Sequence, residues 1–282
     1  MQVNDKAFVV TGGGNGIGRA LVLGLLERGA RVAAVDIRPE SLEETATLAD
    51  AGDLLSTHVL DITDREATAA FPDEVLAAHG SIDGLINCAG IIQPFVRFAD
   101  LEWDAIDRVV DVNLYGTMHM LKAFLPILSE RPVAHVVNIS SMGGFLPVPG
   151  QAVYGASKAA VKLLTEALYA ELLESPVAIS VVMPGGVGTD ITTNSGVASP
   201  VDPPEAEESS IPMTTVERAA EIILDGMEDD KLHILVGRDA TMMNLASRIA
   251  PRQATHLITR QTGRAVQQPS GEPASDTPHR RL

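Results

Sequence analysis

AFVVTGGGNGIGRALVLGLLERG, residues 7–29, changes its period in the middle. AFVV is a short apolar run of the kind buried on both faces of a parallel sheet, and IGRALVLGLLERG spaces its apolar residues as an amphipathic helix does. Between them, TGGGNGIG puts five glycines into eight residues. In a parallel α/β sheet, the crevice beyond the carboxyl ends of the strands is where ligands bind, and this loop lies at such an end. Glycines there let backbone N–H groups approach a phosphate, and the helix N-terminus adds its dipole. A plain tight turn is the competing reading of the glycines alone.

The spacing narrows the choice. Gly13 and Gly18 stand as in a P-loop, but Arg19 and Ala20 follow where Lys-Ser/Thr is required. G-x-G-x-x-G fails too, since the pattern is Gly12-x3-Gly16-x-Gly18.

Outward from this unit the alternation continues. KAFVV, RVAAVD, THVLD, DGLINCAG, AHVVNIS, AISVVM and LHILVG read as strands. Helical patterns cover 16–29, 40–51, 64–78, about 102–129, 152–174 and 215–228. This order predicts a single α/β domain over 1–264, a doubly wound parallel sheet flanked by helices on both faces. Residues 191–213, rich in Pro, Ser and Glu, interrupt the rhythm and are expected to form a substrate-binding lid loop. Residues 265–282 read as a flexible polar tail.

Composition limits the function classes. A chain of 282 residues with 45% hydrophobic and 21% charged residues is ordinary for a globular domain. A net charge of −16 argues against nucleic acid and anionic membranes as partners. Cys88 is the only cysteine, so no intrachain disulfide forms and no metal site is expected. MQVNDK lacks a targeting pattern, and no apolar run approaches the roughly 18 residues of a membrane span, so a cytoplasmic location is expected.

Two further stretches carry chemistry. Asp36 ends the second strand, where a carboxylate can bind both hydroxyls of an adenosine ribose and would repel a 2′-phosphate; a cap or turn role is the alternative. NISSMGGFLPVPGQAVYGASK, residues 138–158, sets Tyr154 and Lys158 four apart on one helical face, with Ser141 thirteen residues before Tyr154.

Together these motifs resemble the short-chain dehydrogenase/reductase family over about residues 5–250. Thr11-Gly12-x3-Gly16-Ile17-Gly18 is similar to its cofactor loop, and Asn87-Cys88-Ala89-Gly90 to its Asn-Asn-Ala-Gly, with Cys88 in second place. The resemblance implies a Rossmann-type fold, a homodimer or homotetramer, and a catalytic set of Asn113, Ser141, Tyr154 and Lys158. It implies cofactor binding by Gly12, Gly14, Asn15, Gly16, Ile17, Gly18, Asp36, Ile37, Asp61, Ile62, Asn87, Ala89 and Gly90. Tyr154, Lys158, Pro184, Val187 and Thr189 complete the cofactor set. Ser140 is the rival for Ser141, and the family's spacing to Tyr154 favours Ser141. Asn113 would hold a water connecting Lys158 to solvent; a helix kink or a buried, satisfied amide is the alternative.

Hydride transfer between a carbinol carbon and nicotinamide needs an acid/base for the oxygen, and Tyr154 is the candidate. At about 4 Å and an effective dielectric near 20, Lys158 would favour the phenolate by up to roughly 4 kcal/mol, bringing Tyr154 toward pH 7. Phe95, Met142, Phe145, Leu146 and Val148 are the expected lining of an apolar substrate pocket. The expected activity is NAD-dependent interconversion of a small apolar secondary alcohol and a ketone, with NADP the less favoured cofactor. A 3-oxoacyl-thioester reductase and a non-catalytic dinucleotide-binding sensor or scaffold are the alternatives.

Overall fold

The computed structural model describes residues 1–189, 191–197 and 213–262. Seven strands form one parallel sheet: β1 (Ala7–Thr11), β2 (Arg31–Asp36), β3 (Leu55–Val59), β4 (Gly84–Asn87), β5 (Ala134–Ile139), β6 (Val177–Pro184) and β7 (His233–Val236). Their spatial order is β3-β2-β1-β4-β5-β6-β7. Every residue of β1, β4 and β5 is buried, which is why these strands are apolar on both faces. β3, at an edge, is largely half-exposed, and it spans 55–59 rather than the expected 57–61 because polar residues blur its start.

Helices cover both faces. On one, α1 (Gly16–Glu27) packs Leu21, Val22 and Leu25 with Ile223 and Leu224 of α8 (Val216–Glu228). α2 (Pro39–Ala49) adds Leu42 to the same core. On the other, Phe71 and Val75 of α3 (Arg65–His79) meet Met120, Leu121 and Phe124 of α5 (Thr117–Ser129). Asp64 starts α3 in the usual way, its side chain accepting from the N–H groups of Glu66 and Ala67.

The expected helix 102–129 is broken. α4 (Trp103–Val110) leads into a π-helical turn, Asp111–Gly116, before α5 begins. α6 (Ala152–Glu171) buries Val153, Ser157, Lys158, Val161 and Thr165 on one face. The expected lid loop starts as a short helix, α7 (Ile191–Asn194), while 198–212 and the expected tail 265–282 lie outside the described residues. Two helices not anticipated from the sequence follow β7: α9 (Arg238–Ile249) and α10 (Pro251–Thr262). No helix among the described residues is long and apolar enough to cross a membrane.

The order places β1 beside β4, so the connections from these two neighbours run outward in opposite directions. The crevice above their carboxyl ends is the topological switch point, where ligands bind in sheets of this kind.

Candidate active site

Thr11 ends β1, and its Oγ1 accepts from the N–H groups of Cys88 at 3.0 Å and Ala89 at 3.1 Å, drawing the loop after β4 over the glycines. Gly12 has φ of +69°, and a Cβ there would stand 3.0 Å from the Ala89 backbone. Gly18 packs so closely on the Gly12 carbonyl that a side chain has no room. Asn15 precedes α1 without making a side-chain cap, so the first helical N–H groups keep their donors for something else.

These residues line one cavity of about 910 Å³. Gly12, Asn15, Gly16, Ile17 and Gly18 border it, as do Asp36, Ile37, Asp61 and Ile62. So do Ala89, Gly90, Pro184, Val187 and Thr189. Two expected cofactor residues do not. Gly14 instead donates its N–H to Asp36 Oδ2 at 3.1 Å, and Asn87 donates from Nδ2 to Asn138 Oδ1 at 2.8 Å. Asp36 Oδ1 accepts from the Arg38 N–H at 3.1 Å, so the carboxylate has a turn role as well as a place on the cavity wall. Arg38, unnoticed in the sequence, also lines the cavity and donates from Nη1 to Asn194 Oδ1 at 2.8 Å, joining the end of β2 to α7.

Ser141, Tyr154 and Lys158 border the same cavity. Ser141 opens a single 3-10 turn, Met142–Gly144, and its Oγ accepts from the Gly143 N–H at 3.0 Å. Its hydroxyl also lies close enough to the Tyr154 phenol to favour the phenolate. Ser140 is buried, and its Oγ donates to the Lys158 carbonyl at 2.7 Å, which separates the two serines clearly. Lys158 Nζ donates to the Ile139 carbonyl at 3.0 Å.

The electrostatics correct one expectation. Burial pushes the Tyr154 phenol above its usual range rather than toward neutrality, and the Ser141 hydroxyl works the other way. Lys158 is itself desolvated, its pKa lowered to about 8, with its ammonium held on a backbone carbonyl. Burial raises the Cys88 thiol to about 12, so it stays protonated at neutral pH.

Asn113 is fully buried within the π-helical turn and does not line the cavity. Its Oδ1 accepts from the Ile91 N–H at 2.9 Å, and Nδ2 donates to the Ile91 carbonyl at 2.9 Å and Ser157 Oγ at 3.0 Å. The alternative of a satisfied amide at a helix distortion is thus the geometry seen. A Cβ built on Gly90 would approach both Lys158 Nζ, at 3.0 Å, and Asn113 Oδ1, at 3.2 Å, so the glycine leaves the lysine its space.

The expected substrate residues are elsewhere. Leu146 is buried against Ala254 and Ile258 of α10, with Met142, Phe145 and Val148 packed around them, and neither these four nor Phe95 borders the cavity. Apolar residues on the cavity wall include Ile91, Val112 and Ile139.

The family model for short chain dehydrogenase matches residues 6–198. The chain belongs to the short-chain dehydrogenase family. SadH of Mycobacterium tuberculosis, a relative named only as an oxidoreductase, is 37% identical over 259 residues, covering 90% of this chain and 94% of SadH. Among solved structures, a short-chain dehydrogenase/reductase from Burkholderia phymatum in complex with NAD superposes with a TM-score of 0.78 at 25% identity, over 98% of this chain and 99% of that one. A short-chain dehydrogenase from Burkholderia cenocepacia in complex with NADP gives 0.76 at 27% identity, over 92% and 99%. This family member is therefore an oxidoreductase on a Rossmann-type sheet.

Proposed function

We propose that this dehydrogenase interconverts a secondary alcohol and a ketone on an apolar substrate, with Tyr154 as acid/base and NAD as its preferred cofactor. The observation that supports the reading is that Tyr154 and Ser141 line one cavity together with the uncapped glycine turn and Asp36. The donors of that turn suit a pyrophosphate, and the space left by Gly12 and Gly90 suits a ligand lying across the switch point. Asp36 would take the ribose hydroxyls, Ile37, Asp61 and Ile62 would border the adenine, and Pro184, Val187 and Thr189 would hold the nicotinamide amide. A bound nicotinamide dinucleotide supplies the hydride or takes it up.

NAD is favoured over NADP because the carboxylate of Asp36 lines the cavity, while Arg38, the nearby cation, is engaged by Asn194 and by Asp36 itself, its Nε 3.7 Å from Asp36 Oδ1. Ser141 would hold the substrate oxygen, and Tyr154 would pass the proton. A phenol raised by burial gives up a proton to a ketone more readily than it accepts one from an alcohol at neutral pH. The sign follows: alcohol oxidation should accelerate as pH rises through the alkaline range, and ketone reduction should slow there. Subunit association in pairs or fours belongs to the same proposal, since α4 and α6 expose Trp103, Leu163 and Tyr169.

The test is Tyr154→Phe, which keeps the ring but removes the proton carrier. With a secondary alcohol or ketone found active in a panel, kcat should fall by roughly 10²–10⁴ while NAD affinity stays nearly unchanged. Near-normal turnover of the folded variant would reject the assignment.

A further inference from the structure

The loop after β4 carries one buried side chain that the chemistry above does not use. Gln93 is 0% exposed, and its amide lies against the start of α6. Oε1 accepts from the backbone N–H of Val153 at 2.7 Å and of Tyr154 at 3.0 Å. Nε2 donates to the Gly150 carbonyl at 3.0 Å. Two donors face the oxygen and one carbonyl faces the nitrogen, so the flipped amide would lose all three bonds; the orientation is dictated by its surroundings.

The first N–H groups of any helix have no partner inside it. Usually the residue before the helix supplies one through a short polar side chain. Gln151 holds that position in α6 and makes no such bond; its Nε2 donates instead to the Gln93 backbone carbonyl at 2.8 Å. Gln93 thus caps, from some sixty residues away, the turn in which Tyr154 sits.

The same loop touches each part of the site. Cys88 and Ala89 bond Thr11, Ile91 exchanges two bonds with Asn113, and the Ile92 N–H donates to Ser195 Oγ at 3.0 Å. Gln93 ends this run on the backbone of Tyr154 itself. We infer that Gln93 is a positioning residue: by capping the helix turn of Tyr154 from the cofactor-side loop, it sets where the phenol meets the substrate oxygen. The inference rests on the reading of Tyr154 as acid/base.

Two variants test it beside Tyr154→Phe, all in the full chain. Gln93→Met keeps the length and removes both polar atoms. Gln93→Glu keeps an acceptor for the two N–H groups. Gln93→Met should lose at least tenfold in kcat with the Kd for NAD changed less than threefold, and amide exchange over residues 150–156 should quicken at least tenfold. Gln93→Glu should recover most of the ketone-reduction rate and of the exchange protection, because the acceptor that caps the turn is kept. A folded Gln93→Met with kcat within twofold of the parent overturns the inference, and so does a Gln93→Glu that recovers no more of kcat than Gln93→Met. Should Gln93→Met fail to fold, Gln93→Glu decides alone: exchange over 150–156 as slow as the parent's beside a kcat more than tenfold lower overturns the inference. An inactive Tyr154→Phe beside a fully active Gln93→Met removes only this inference, whereas a fully active Tyr154→Phe removes the acid/base reading and this inference with it.

Discussion

Ser140 and Ser141 are adjacent in sequence, yet the turn after β5 sends their hydroxyls to different partners. Ser140 Oγ is spent on the Lys158 carbonyl, inside the fold, whereas Ser141 Oγ meets Tyr154 at the cavity. Ser141→Ala should therefore lower kcat by about 10²-fold, the cost of one preorganised donor to the reacting oxygen. Ser140→Ala should lower melting stability by about 1 kcal/mol, the worth of one buried hydrogen bond, and leave kcat within a few-fold. Steady-state kinetics beside thermal denaturation separate the two. Asp36 has a double role as well, on the cavity wall and on the Gly14 N–H. Asp36→Ala should weaken both cofactors through the loosened turn but narrow the NAD/NADP preference in kcat/KM by at least tenfold, since the repulsion of a 2′-phosphate is lost. An unchanged ratio would leave Asp36 only its turn role.

At the level of elements, the strand–turn–helix unit of β1 and α1 depends on a backbone approach that tolerates no side chain. Gly18→Ala would push its methyl into the Gly12 carbonyl and, through Gly12, disturb the contact with Ala89. The expected cost is about 1–3 kcal/mol of stability, with at least tenfold weaker NAD binding, measured by denaturant melts and fluorescence titration. This unit was legible in the sequence because its glycines, its fully apolar strand and its helical spacing all indicate one geometry. β4 and β5 were legible for the same reason. α9 and α10 were not: Arg238, Arg248, Arg252 and Arg260 break their apolar pattern, and these helices bury little beyond Ala240, Ala254 and Ile258. Missing α10 also hid a packing partner, since Leu146 and its neighbours lie under that helix. Tyr154, Lys158 and Ser141 were found because their spacing is the one the family shows; a Tyr and a Lys four apart are by themselves common on helices. Gln93 bonds to backbone N–H groups far along the chain, and no side-chain pattern records such a partner.

Across the whole molecule, the sheet contains one titrating group with a calculable effect on stability. His135 in β5 is 0% exposed, and its Nε2 lies 2.8 Å from Ser180 Oγ. Ser180 donates to the Lys231 carbonyl, so it accepts from His135, and the ring proton sits on Nε2. Burial lowers the His135 pKa from 6.5 to about 4, with the Asp230 carboxylate only partly opposing. The unfolded chain takes up a proton near 6.5 that the folded chain refuses until about 4. The stabilisation from the neutral ring is therefore complete above pH 6.5 and is lost as pH falls toward 4, by about 3 kcal/mol at most. Melting curves from pH 7 to 4.5 should show this loss, and His135→Gln should flatten the slope by one proton's worth; equal slopes would refute the account. The strand order has a consequence for biosynthesis. β1 is flanked by β2 and β4, and Val9 finds its β4 partner Leu85 roughly 75 residues further along. At about 5–20 residues per second of translation, one edge of the most apolar strand waits about 4–15 s on the ribosome for its neighbour. During that interval an unpaired AFVV edge is open to other nascent chains, so the yield of native protein should depend on chaperone supply more steeply than the stability of the finished sheet would indicate.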